Sequence, residues 1–252
     1  MKKILISAFL LLVLGVAVLH FVPNTETGIT GELGVEEDIV INAQAPNVNN
    51  TIPYYKVIKE ERIDKSEPNI ITPKKLIPSK DEAKNISNQY LQDNGYMPED
   101  AHISDIQTLY MKTINTSTGE NIIESKEPVL VEVSYNRRLG NLPVVGPGDT
   151  ITVSLGENGK VIYFFKSWRD LEPAGRIKII DANTAIKNLQ KGKIIRKSAG
   201  IDNPMTEINE MKIGFFSDNS GKEQAFYKPV WIFRGTDSHG NNVTKYVDGV
   251  TE

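Results

Sequence analysis

The chain has 252 residues, 39% of them hydrophobic and 24% charged, with a formal net charge of -3. That composition supports a folded body with a real core, and it lacks the basic excess that suits a phosphate backbone, which argues against nucleic-acid binding. Cysteine is absent, which excludes a disulfide framework, cysteine nucleophiles and thiolate metal sites, along with the lipid-modified cysteine of bacterial lipoproteins.

Lys2 and Lys3 precede an uncharged run, Ile4 to Val22, of 19 residues. This is close to the length that crosses a bilayer as a helix. The lysines on the short flank place the N-terminus in the cytoplasm and the body outside it. The alternative is a cleaved signal peptide, whose apolar region is usually about 7–15 residues and ends in small residues. Here the run ends in His20, Phe21, Val22 and Pro23, which favours an uncleaved single-pass anchor over secretion. Four Asn-x-Ser/Thr sequons, at Asn49, Asn85, Asn115 and Asn242, are candidate glycosylation sites on that side of the membrane.

Residues 23–52 read as an extended tether, and Pro53 to Glu61 as a first strand. Ser79 stands three residues before Glu82, a capping box that predicts a helix over Asp81 to Asp93, with Ala83, Ile86, Tyr90 and Leu91 on one face and Asn94–Gly95 as the stop. Strands follow at 102–114, 128–135, 149–155 and 160–168, the last apolar on both faces and therefore central. Glu157-Asn158-Gly159 joins the last two as a hairpin turn requiring positive φ. Asp181 caps a second helix bearing Ala185, Ile186 and Leu189, with Gly192 as its stop. Further strands are read at 207–216, 225–233 and 242–250. The order of elements repeats, so the expected fold is α+β. It comprises two tandem units, each with one helix packed on an antiparallel sheet, at 53–178 and 179–252, behind an N-terminal transmembrane helix at 1–22.

The segments "VLVEVSYNRRLGNLPVVGPGDTITVSLGENGKVIYF", "DANTAIKNL", "YKPVWIFRG" and "YVDG" resemble the PepSY-like group of extracytoplasmic domains, including the YycH/YycI and YpeB type of membrane-anchored regulators. The resemblance runs from about Pro53 to Val250. It implies a non-enzymatic role outside the membrane, binding another envelope protein or a peptide, and it supplies no catalytic residues.

The residues themselves offer little chemistry. There is no nucleophile-elbow, zinc-protease or phosphate-loop motif, so no catalytic residue, metal ligand or cofactor is assigned. The three histidines, His20, His102 and His239, do not make a ligand set. Ser217 to Glu223 has oxygen-bearing side chains but lacks the spacing of a calcium loop and reads as a turn. The connection Asn136 to Asp149 is the leading candidate surface: Arg137 and Arg138 suit an anionic group, and Leu142 and Pro143 are apolar in a shaped loop. The bland reading has Leu142–Val145 folding back over the sheet with the arginines in water. Pro229, without an amide hydrogen, places the strand of Trp231 at an edge or bulge where another chain adds. The expected function is an anchored binding or regulatory protein. A cell-surface structural component without a specific partner is the alternative, and a carboxylate-based hydrolase is a more distant one.

Overall fold

The computed structural model of the chain describes residues 39–67, 76–115, 122–195 and 204–250. The strands are β1 (Val40–Ile41), β2 (Thr51–Ser66), β3 (Ala101–Asn115), β4 (Ile122–Leu139), β5 (Leu142–Val145), β6 (Thr150–Leu155), β7 (Val161–Lys178), β8 (Glu207–Phe216), β9 (Phe226–Tyr227), β10 (Pro229–Thr236) and β11 (Asn242–Asp248). The helices are α1 (Lys80–Asp93) and α2 (Ala182–Gln190).

All eleven strands belong to one sheet, in the order β11-β10-β8-β5-β4-β6-β7-β2-β9, with β3 added to β4 and β1 to β8. Pairing is antiparallel except for β1 with β8 and β5 with β8, which are parallel. β9, at one end of the path, runs through Lys228 into β10, the strand next to the other end, so the sheet curls back on itself. This corrects the expected fold class. Strands assigned to two separate helix-on-sheet units form one large, mixed, curled sheet. The expected transmembrane helix at 1–22 lies outside the described residues; among the described residues no helix is long and apolar enough to cross a membrane. Within the stretch read as a tether, Val40–Ile41 pairs with β8 and Thr51–Ile52 already lies in β2.

Local sequence explains most elements. The Ser79 side chain accepts from the Glu82 amide, and the Glu82 carboxylate accepts from the Ser79 amide at 2.8 Å, so both halves of the capping box are present. Asp181 caps α2 through the Thr184 amide at 2.9 Å. Asn158 and Gly159 hold φ of 57° and 73°, the conformation that the β6–β7 turn demands. Val131, Val133 and Tyr135 of β4 and Ile151, Val153 and Leu155 of β6 point inward against α1, each such apolar side chain contributing about 1.5–3 kcal/mol by leaving water. A second cluster gathers α2 with β8, β10 and β11 around Trp231 and Phe233.

The connection after β4 is the main structural surprise. β4 continues to Leu139, turns at Gly140–Asn141, and returns as β5, pairing Leu139 with Leu142 and Arg138 with Pro143. β5 then runs parallel to β8, with Val144 beside Phe215 and Val145 beside Phe216. A stretch read as a loop is therefore the strand that joins the two halves of the sheet. Pro229 also differs from expectation, because β10 lies between β8 and β11 rather than at an edge. As the first residue of its strand, the proline tolerates the missing amide.

Candidate functional site

β7 carries Arg169 immediately after Trp168, beyond the last β6–β7 pair, Thr150 with Ser167. Its side chain is only 1% exposed, and a guanidinium so placed requires acceptors on every donor. Nε donates to Glu60 Oε2 of β2 at 3.1 Å. Nη1 faces Ser217 Oγ at 2.9 Å, the Asp218 carbonyl at 3.1 Å and Gln224 Oε1 at 3.1 Å. Nη2 donates to the carbonyls of Asn219 at 3.0 Å and Lys222 at 3.1 Å. The segment "SDNSGKE", read from sequence as a turn, is thus wound, together with Gln224, around a buried cation supplied by the chain itself.

Behind this loop lies a second charged layer. Asp149 accepts the Arg169 amide at 3.1 Å, Arg137 Nη1 at 3.0 Å and the Tyr227 hydroxyl at 2.8 Å. Arg137 Nη2 donates to the Arg169 carbonyl at 2.6 Å, and its guanidinium sits 4.5 Å from the Trp168 ring centroid. Arg137 Nε lies 2.8 Å from Asp100 Oδ2, as an ion pair without hydrogen-bond alignment. Ser217 Oγ and Tyr227 Oη are 2.5 Å apart; with the tyrosine proton directed at Asp149, the serine hydroxyl donates to Tyr227.

Burial pushes the Asp149 carboxyl up, against Arg137, Tyr227 and the Arg169 amide, which pull it down. Burial and the Asp149 charge push the Tyr227 phenol well up. Burial also raises Glu60, but the Ser220 hydroxyl, the Gly221 amide and Arg169 outweigh it and hold the carboxyl below its usual range. The Ser217–Tyr227–Asp149 chain has the residue types of a proton relay, but it is packed shut. Ser217, Tyr227 and Asp149 are all buried, and a Cβ added at Gly148 would lie 2.1 Å from both Ser217 Oγ and the Asp218 carbonyl. It is a brace, conserving the position of the loop above it.

An open cleft of about 770 Å³ lies on the solvent side of that brace. β2 lines it with Lys56, Lys59, Glu60 and Arg62, the loop with Lys222 and Glu223, and β9 with Phe226; Arg169 forms part of the floor. Five cationic side chains therefore face two carboxylates, and one of these, Glu60, is already held by Arg169, Ser220 and Gly221. Lys59 pairs with Asp170 and Lys222 with Asp218, but both lysines are largely exposed, where such pairs are weak. Phe226, which lines the cleft, is 39% exposed and adds apolar contact at the rim.

The residues singled out in the sequence fall elsewhere. Arg137 is buried and directed inward, while Arg138 is exposed. Leu142 and Pro143 are half-buried in β5. Pro229 is buried at the start of β10, and Trp231 is 1% exposed with its indole donating to the Ile180 carbonyl at 3.1 Å. Arg137, Pro229 and Trp231 thus hold the fold and present no contact surface. Asn49, Asn85 and Asn242 are exposed, whereas the Asn115 side chain lies outside the described residues. Among the described residues no group of three or more His, Cys, Asp or Glu side chains is arranged to hold a metal ion. Sequence reasoning missed Glu60, Asp149, Arg169 and Tyr227. One signal was available: an arginine inside the apolar run "YFFKSWRDL" must either reach water or find a partner.

No family model matches the chain, and no curated protein matches it significantly. Among solved structures it is similar to an uncharacterized protein from Eubacterium rectale, with 10% sequence identity and a TM-score of 0.35 over 69% of this chain. The chain spans 55% of that protein's length. At this level the likeness carries neither a fold assignment nor a function, and it is silent on a PepSY-like relationship.

Proposed function

We propose that this is a binding protein that takes an acidic segment of another protein in the cleft between β2 and the 217–225 loop. The observation behind this reading is the cationic lining set on a rigid floor: Lys56, Lys59, Arg62 and Lys222 surround a base that Arg169 holds in one conformation. A preformed site loses little ordering entropy on binding, and its cationic lining selects partners by complementary charge. The binding role expected from sequence is kept, while its location moves from the Asn136–Asp149 connection and the Pro229 strand to β2. Partner recognition at this position suits regulation, because occupancy is set by the charge of a short segment.

Fluorescence anisotropy with a labelled peptide alternating Glu and Val tests the proposal, with a Lys/Val peptide for comparison. The Glu peptide is expected to bind more tightly, and more weakly as salt rises, since exposed charges are screened over about 8 Å at physiological ionic strength. Lys59→Glu with Arg62→Glu should abolish the preference, and Arg138→Ala should leave it intact. Equal affinity for the two peptides, or no binding of the Glu peptide, would refute the proposal.

A further inference from the structure

The cleft coincides with a break in strand pairing. On the side away from β7, β2 is paired only at its beginning, with β9, through Tyr55 with Tyr227 and Lys56 with Phe226. The last contact of that seam is the Val57 amide donating to the Ala225 carbonyl at 2.9 Å. Ile58 then bulges out of register, and β2 continues to Ser66 against β7 alone.

The hydrogen-bond parity of this continuation follows from one bond. The Glu67 amide donates to the Ile162 carbonyl at 3.0 Å, and in the register that pairs Ser66 with Tyr163 this makes 67 and 162 a hydrogen-bonded pair. Such pairs alternate in an antiparallel ladder. Lys59, Glu61, Ile63 and Lys65 therefore bond toward β7. The backbone N–H and C=O groups of Glu60, Arg62, Asp64 and Ser66 point the other way, along a line that β9 has just vacated. Among the described residues no strand pairs with β2 along that line. Arg62, Asp64 and Ser66 are exposed.

We infer that the partner segment binds as an added β-strand on the Glu60–Ser66 edge of β2, collinear with β9. This rests on the cleft being the binding site. The occupant is an extended acidic peptide. The main-chain groups of Arg62 and Asp64 supply its hydrogen bonds, as in other strand-addition complexes. Lys59, Arg62 and Lys222 select its carboxylates, and Phe226 takes an apolar side chain at the end nearest β9. The charged side chains along the edge have a second effect. Charged side chains of this kind blunt a free strand edge against indiscriminate pairing.

The test uses the full chain and the Glu/Val peptide in two forms, unmodified and N-methylated at alternate residues on the bonding side. Strand addition predicts about a tenfold or greater loss of affinity on N-methylation, and slowed hydrogen exchange at the amides of Arg62 and Asp64 when the unmodified peptide is bound. Asp64→Pro removes one outward N–H and no bond to β7, so it is expected to keep the fold, read from its thermal transition, and to weaken binding. Equal affinity of the two peptide forms with unchanged exchange would overturn strand addition while leaving cleft binding intact. No binding of the unmodified peptide would overturn both.

Discussion

Replacing Arg169 by Met removes the cation around which the 217–224 loop is wound while retaining most of the side chain's volume. The guanidinium is 1% exposed and serves Glu60, Ser217, Gln224 and the carbonyls of Asp218, Asn219 and Lys222. Its loss leaves Glu60 without its cation and several inward-facing carbonyls without donors. Leaving a buried acceptor without its donor costs about 1–3 kcal/mol, and several acceptors are left here. Against a total stability of about 5–15 kcal/mol for a folded protein, that is a large fraction. Urea unfolding followed by the fluorescence of Trp168 and Trp231 should give a lower midpoint at similar slope. Native-state hydrogen exchange should accelerate first in the 217–224 loop. Arg169→Lys should recover little, because an ammonium has three donors and cannot span acceptors on both β2 and the loop. A loss below about 1 kcal/mol, in the range of a typical exposed pair, would show that the loop does not depend on Arg169 and would remove the argument for a rigid cleft floor.

Two further tests address the brace and its charges. Gly148→Ala places a methyl group 2.1 Å from Ser217 Oγ and the Asp218 carbonyl; such overpacking costs about 1–3 kcal/mol, so a calorimetric Tm equal to that of the parent would contradict the packing described here. Glu60 has a folded-state pKa below its ordinary value. It therefore contributes stability that is fully present above the unfolded carboxylate value of about 4.3 and is lost as pH falls through the lower folded value. Glu60→Gln should flatten that part of the acid limb in urea titrations carried downward from about pH 4.3. An unchanged limb would mean that Glu60 is not held by Arg169 and Gly221 in solution.

The helix starts, the β6–β7 turn and the inward faces of β4 and β6 were legible from sequence, because each is set by residues within a few positions of one another. Ser79 finds Glu82 in the next turn, and Asn158–Gly159 are the residue types that accept positive φ. Alternation of Val131, Val133 and Tyr135 fixes which side is apolar without any knowledge of what lies across from it. The repeated order of elements was legible as well, but it suggested two units where there is one sheet. Periodicity reports that a strand has a buried face; it does not report which edge meets which.

Those edges were decided by tertiary structure. β5 joins β8, and β9 joins β2, through contacts spanning long stretches of chain, and these two seams convert separate meanders into a curled sheet. The same seams bring Glu60, Asp149, Arg169, Ser217 and Tyr227 together. None of these residues lies in a motif with another, so no spacing rule could have found them. The binding edge on β2 is a further consequence of closure. It exists because β9 is two residues long and β2 is sixteen, a mismatch that has meaning only once the two strands are side by side. Sequence by itself determined where the chain turns, where its helices begin and which faces are apolar, since these depend on local sterics and hydrogen bonding. The burial of Arg169, the shape of the cleft and the free edge beside it depend on long-range pairing, in which many edges compete and the outcome belongs to the whole sheet.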